Sequence, residues 1–262
     1  MTAYLTVSLA ALLAAGLTMY SGFGLGTLLL PVFALFFPAE VAVVATALVH
    51  GANNVFKASL LGRYADRDVV LKFGLPAIAA AVLGAMALGW VAQSGSSISF
   101  QLEQTAIKIT PIKLVIGLLM IGFALFELLP RFRSMAFTRR YLPLGGLLSG
   151  FFGGLSGHQG ALRSAFLAKT GLSTQGFVGT NALIGLLVDL TRISVYASLF
   201  IGAGGQLGDF IAWPLVITGA LSAFAGVLLG KRYLNKVTMA SVQSFVGVLL
   251  FGVGLALVFG VL

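Results

Sequence analysis

The sequence predicts an all-α integral membrane protein made of two halves in an inverted repeat, and three observations lead there. Of 262 residues, 59% are hydrophobic and 9% charged, with mean hydropathy +1.05, and a soluble domain of this size cannot hide so much apolar surface. The apolar runs are about 15 to 25 residues long, whereas barrel strands alternate over about ten, so the spans are helices. The chain also resembles itself: a shift of 134 lays residues 24–48 on 158–182, pairing Gly26 with Gly160 and Thr46 with Thr180, and upstream of that window the same shift brings Gly16 to Gly150. A shift of 130 lays 115–128 on 245–258, pairing Gly117 with Gly247 and Gly122 with Gly252.

The elements follow in order. The first repeat, 1–130, opens with a glycine-broken pair, 3–20 and 26–37, and continues with full spans at 41–61, 72–92 and 112–130. A basic connector, "RFRSMAFTRRY" (131–141), leads into the second repeat, 142–262. There the broken pair is 142–156 with 160–170, and the spans are 176–202, 211–229 and 238–261. The N-terminal apolar run has no basic segment before it, so a cleaved signal peptide is not expected.

Charge sets the orientation. If each broken pair returns to its starting side, eleven Lys and Arg (Arg63, Arg67, Lys72, Arg131, Arg133, Arg139, Arg140, Lys169, Lys231, Arg232, Lys236) share one side and Lys108 and Lys113 the other. The positive-inside rule then makes the first side cytoplasmic and puts both termini outside, in a bacterial-type inner membrane. Counting each broken pair as one crossing gives eight spans in parallel halves and sends four of those cations outside, which the same rule disfavours. Inverted halves are the architecture of secondary transporters. The net charge of +9 is therefore topological rather than a nucleic-acid footprint. With no Cys and two His, neither thiol chemistry nor a resident metal is expected, and no cofactor is.

The broken segments predict an anion site. Ten residues, Ala161 to Thr170, reach about 15 Å, half of the roughly 30 Å hydrocarbon core. Irregular backbone at that depth is tolerated only where it lines a cavity or is buried in protein. In inverted halves, the turns at Gly22, Gly24 and Gly26 and at Gly157 and Gly160 meet from opposite sides. Each presents free N–H groups and a positive dipole end. His158, Gln159 and Arg163 add directed donors and a charge. The competing readings are close helix packing for the glycines, a structural hydrogen bond for His158 and Gln159, and Arg163 snorkelling toward Lys169.

Two further spans carry polar stripes. His50, Asn53, Asn54 and Lys57 fall at i, i+3, i+4 and i+7, one helical face, and Asn181, Asp189, Arg192 and Tyr196 share another. Charged side chains in a span cost roughly 2.5–3.5 kcal/mol each, so these faces look into the protein or a wet pathway. His50, Asn53, Asn54, Asn181, Asp189 and Arg192 are the candidates for lining the path or coupling it to a proton or sodium. Asp189 with Arg192 is most simply a structural ion pair, Lys57 a snorkelling side chain near Arg63, and Glu127 an interfacial carboxylate near Arg131.

The turns "GFGLGTLLLP" (22–31) and "GFFGGLSGHQGA" (150–161), with "AVVATAL" (42–48) and "FVGTNAL" (177–183), resemble the TauE/SafE family over nearly the whole chain. That resemblance implies a membrane carrier of a small sulfur oxyanion, sulfite or an organosulfonate. The family's turns often read as a glycine triplet followed by proline. Here Leu25 separates Gly24 from Gly26, Pro31 matches, and His158, Gln159 and Ala165 depart from the pattern.

The sequence admits two rival functions. An anion channel would use the same site without alternating between sides. An intramembrane serine protease is suggested by "GLSG" (154–157), but no His follows His158 to act as a later-span base for Ser156. The absence of a G-x-x-x-x-G-K-[ST] loop excludes ATP-driven transport by this chain alone.

Overall fold

The structure, a computed structural model, describes the chain apart from residues 22–23, 96, 103–104, 203–210 and 234–238. Helix α1 (Thr2–Ser21) runs into the first glycine turn, and α2 (Leu25–Ala34) leaves it after Gly24, whose φ is 120°. Pro38 then caps α3 (Ala39–Leu61), its fixed φ suiting a helix start. A 3-10 turn, Gly62–Tyr64, leads to α4 (Arg67–Gln93), where the Asp66 side chain accepts the Val69 N–H at 3.1 Å as N-cap.

Between α4 and α5 the chain forms a hairpin, β1 (Ile98–Leu102) with β2 (Thr105–Ile109), antiparallel with Ile98 opposite Ile109. The stretch falls between the spans expected at 72–92 and 112–130, where the sequence analysis assigns no element. Its alternation of Ile98, Phe100 and Leu102 with polar residues is a strand period, too short to stand out between two long apolar helices. Helix α5 (Pro111–Leu128) begins with proline in its first turn and Thr110 as N-cap. The short α6 (Pro130–Arg133) and a 3-10 turn at Arg139–Tyr141 form the connector. Then come α7 (Leu142–Ser156), α8 (Gly160–Leu167), α9 (Thr174–Gly202), α10 (Trp213–Tyr233) and α11 (Met239–Val258).

Among the described residues six helices, α1, α3, α4, α5, α9 and α10, are long and apolar enough to cross a membrane, and α2 is not. At twenty residues, about 30 Å, α1 matches the whole hydrocarbon core. The surface is apolar around the bundle, as at Leu75, Leu83, Leu118, Ile217 and Val248, while His50, Asn53, Arg163, Asp189 and Arg192 are buried inside. Polar inside and apolar outside is the arrangement lipid demands.

Glycine sets the closest contacts. Gly146, Gly150 and Gly154, one turn apart on α7, lie so near α4 that a Cβ on each would sit 2.2 Å from the carbonyl oxygens of Phe73, Ala77 and Ala81. On α10, Gly226 and Gly230 meet the Leu12 and Gly16 carbonyls of α1 in the same way, at 2.1 and 2.6 Å. Backbone approaches backbone through small residues, as in lipid-embedded helix pairs. The order of these contacts makes α7 parallel to α4 and α1 parallel to α10. In contrast, α3 and α9 run antiparallel, since Gly51 meets Asp189 while Leu61 meets Gly179. Helices α5 and α11 are antiparallel as well, with Gly117 against Gly254 and Glu127 against Gly247.

The connector is tied down where α4 begins. The Arg139 guanidinium reaches the Asp66 carboxylate at 2.7 Å and donates through Nε to the Thr170 carbonyl at 3.2 Å, while the Asp66 N–H donates to Thr180 Oγ1 at 3.0 Å. The hairpin follows the far end of α4, so connector and hairpin mark opposite ends of the bundle.

Candidate functional site

The two glycine turns come together. Helix α7 ends at Gly157, whose φ of 86° is left-handed and whose N–H caps the helix on the Phe152 and Gly153 carbonyls. Only glycine adopts that conformation cheaply. The chain then re-enters a helix at Gly160. The Gly157 carbonyl lies beside the first turn of α2, where a Cβ on Gly26 would be 3.4 Å from it and 3.4 Å from the His50 ring.

Between the turns lies a cavity of about 20 Å³, room for one or two water-sized spheres. Its walls are Gly24 to Thr27 at the start of α2, Gly157 and Gly160, and the side chains of Thr18, His50, Asn54, Lys57, Arg163 and Asn181. Leu25, Gly26 and Thr27 carry N–H groups with no partner inside the helix. Each of the six polar side chains is more than nine-tenths buried.

The cations on this wall are held by neutral groups. Arg163, 2% exposed, donates from Nε to Asn181 Oδ1 and from one terminal nitrogen to Gln159 Oε1 at 2.8 Å. It faces the cavity rather than the bundle surface. Lys57, 5% exposed, donates to Thr18 Oγ1, whose own hydroxyl donates to the Ala15 carbonyl at 2.8 Å.

Behind the cavity, midway along α3 and α9, stands the one carboxylate of this region among the described residues. Asp189 is fully buried. Its Oδ2 contacts His50 Nδ1 at 2.6 Å and accepts from Asn54 Nδ2 at 2.8 Å. Its Oδ1 accepts from Gln159 Nε2 at 3.1 Å and from Arg192 Nε at 3.0 Å, with the nearest Arg192 terminal nitrogen 2.8 Å away as an ion pair. Asp189 and Arg192, at i and i+3 on α9, form a buried ion pair. Arg192 also donates to the Gly153 carbonyl at 3.3 Å.

Not every candidate faces this cavity. His158 is buried, but its ring stacks on Phe123 at 4.9 Å and its Nδ1 lies 2.9 Å from Ser156 Oγ, away from the cavity walls. The Ser156 hydroxyl donates to the Phe152 carbonyl at 3.2 Å, and its histidine neighbour is the one two residues on, not one from a later span. Gln159 supports Arg163 and Asp189 from behind. Asn53 is buried outside the lining, and neither polar atom of its side chain has a hydrogen-bond partner among the described residues. Gly22 lies outside the described residues. Thr18 and Lys57, absent from the sequence-derived site, are on the wall. Glu127 is 1% exposed, in the contact with α11 rather than at the surface.

A second cavity, about 210 Å³, lies toward the hairpin end, lined by Glu40, Val44, Leu88, Gln93, Tyr196 and Leu199. Next to it is one of about 260 Å³ that Lys108 and Lys113 help to line. Tyr196, one turn beyond Arg192 on α9, donates its hydroxyl to the Gly154 carbonyl and stands between this space and the ion cluster.

A family model described as sulfite exporter TauE/SafE matches residues 7–257. No curated protein and no solved structure matches the chain. With nearly the full length matched, on a bundle of membrane-length helices around a cationic cavity, the chain belongs to the sulfite exporter TauE/SafE family, whose members are membrane transporters of sulfite and related sulfur anions.

Proposed function

We propose that the protein is a secondary transporter that moves sulfite or an organosulfonate across the cytoplasmic membrane by alternating access, binding the anion where its two glycine turns meet. The observation that carries this reading is the small buried cavity whose wall joins the first turn of α2, the Gly157–Gly160 turn and the Arg163 guanidinium. Free N–H groups and a fixed cation replace the water an oxyanion gives up on entering the membrane interior. Gly24, Gly26, Gly157 and Gly160 shape the backbone, Arg163 supplies charge, and Gln159 and Asn181 orient it. His50, Asn54, Asp189 and Arg192 form the cluster that would couple the path to a proton or sodium.

Support for inverted halves comes from helix direction. In same-direction halves the third segments, α3 and α9, would be parallel, and so would α5 and α11; both pairs run antiparallel. The parallel pairs α4 with α7 and α1 with α10 are likewise equivalent under inversion. Alternating access draws support from the two spaces on either side of Tyr196 and the Asp189 cluster, a tight one toward the connector and a wider one toward the hairpin. The connector end, richer in Lys and Arg, is assigned to the cytoplasm, with both termini outside.

The test is uptake of radiolabelled sulfite into proteoliposomes under imposed proton and sodium gradients. Saturable uptake driven by one gradient, and counterflow by unlabelled sulfite, is expected. Conductive flux without counterflow would make the protein a channel, and no flux of any sulfur oxyanion would end the proposal.

A further inference from the structure

Among the described residues, the charges around the central cavity do not balance. The sequence holds seven carboxylates. Asp66 and Asp68 pair with Arg139 and Lys72 at the connector end, Glu40 lines the hairpin-side cavities, and Glu127 lies against α11. Glu103 and Asp209 belong to stretches outside the described residues. Among the described carboxylates that leaves Asp189 beside the cavity, and its two oxygens already serve Arg192, His50, Asn54 and Gln159.

Two cations on the cavity wall therefore have neutral partners. Lys57 Nζ meets the Thr18 hydroxyl, and Arg163 meets the amide oxygens of Asn181 and Gln159. Neither forms a salt bridge among the described residues. A charged group this deeply buried is sustained only when an opposite charge joins it or when it gives up its proton. Guanidinium does not give up its proton, and both side chains open onto the same cavity.

We propose that the cavity is built for a divalent oxyanion, with Lys57 supplying the second positive charge and Thr18 positioning its ammonium. This rests on the anion site proposed above and narrows it: sulfite would bind as the dianion rather than as hydrogen sulfite, and dianionic sulfur species would be preferred to simple monoanionic sulfonates. Lys57 is then a specificity-determining residue, because removing its charge leaves Arg163 to hold a single negative charge.

Thiosulfate and methanesulfonate make the test, since both present an SO₃ group capped by one heavy atom but carry two charges and one. Each is titrated against radiolabelled sulfite on the purified full chain in nanodiscs at constant pH. Thiosulfate is expected to compete at least about tenfold better, the difference one charge-assisted contact makes. Lys57→Gln is expected to remove that preference by weakening thiosulfate while leaving methanesulfonate nearly unchanged, and Lys57→Arg to keep it. Thr18→Val, which keeps shape and loses the hydroxyl, is expected to reduce it. Equal competition by the two anions on the wild-type protein, which needs no variant to fold, overturns the proposal. So does an unchanged ratio in Lys57→Gln. Absence of sulfite binding to the wild type would instead remove the anion site itself.

Discussion

His50 Nδ1 lies 2.6 Å from the Asp189 carboxylate, joining the midpoints of α3 and α9 deep inside the bundle. The same carboxylate faces Arg192 at 2.8 Å. Removing one member of such a cluster strands the others. Asp189→Asn keeps the shape but leaves the Arg192 charge uncompensated, a loss of about 3–5 kcal/mol for a broken buried pair. A markedly lower melting temperature is expected, and the double change Asp189→Asn with Arg192→Gln should recover part of it. An unaltered melting curve in the single variant would mean that the cluster does not hold α3 and α9 together.

Packing through glycine gives a sharper contrast. Gly150→Ala puts a methyl group 2.2 Å from the Ala77 carbonyl oxygen, backbone against backbone, whereas a Cβ at Gly122 meets nothing within 4 Å. The first change must push α7 off α4 and is expected to cost about 1–3 kcal/mol. The second sits on an open helix face and is expected to be neutral or to stabilise by up to about 1 kcal/mol. Thermal unfolding of the two variants side by side checks the α4–α7 contact, and similar behaviour of both would remove it.

At the connector end the prediction concerns pH. The Asp66 carboxyl is held below its usual range, first by the Val69 N–H it caps and then by the Arg139 guanidinium. A lowered folded-state value means that the stabilisation is fully present above the unfolded carboxyl pKa, about 3.9, and is lost as pH falls through the lower folded value. Arg139 is 47% exposed at its side chain, so screening limits the pair to at most about 1 kcal/mol. Asp66→Asn is expected to lower the melting temperature slightly at pH 7, and the gap should narrow at pH values below the carboxyl range and with added salt. A gap independent of pH would mean that ionisation of Asp66 adds nothing to stability at this end of the bundle.

How far the sequence reached depends on what each residue reports. Helix positions were legible because apolar runs of membrane length have few alternatives, and the stripe His50, Asn54 and Lys57 was legible because helical period fixes which side chains share a face. Family membership was also carried by the glycine turns. Direction out of a tight turn was not. His158 and Arg163 sit five residues apart, yet Arg163 enters the cavity while His158 turns back onto Phe123 and Ser156. Lys57 reads as a snorkelling cation because its partner, Thr18, is 39 residues away on an apolar helix where a hydroxyl is ordinarily satisfied by its own backbone. The glycine stripe on α7 announces a close neighbour without naming α4, and the hairpin has a strand period too brief to outweigh its surroundings.

Arg163 offers the most direct test of the anion site, because charge and geometry can be separated there. Arg163→Lys keeps the positive charge but cannot hold Asn181 Oδ1 and Gln159 Oε1 together while presenting a fork to the cavity. Arg163→Ala removes the charge as well. If the guanidinium binds the anion, sulfite affinity should fall in both, by about tenfold or more in the alanine variant, for the loss of a charge-assisted bond, with a smaller fall in the lysine variant. If Arg163 only braces α8 against α9, both variants should lose stability while the protein that remains folded binds sulfite as before. Binding and melting measured on the same preparations distinguish the two, and unchanged affinity in Arg163→Ala would move the site elsewhere in the bundle.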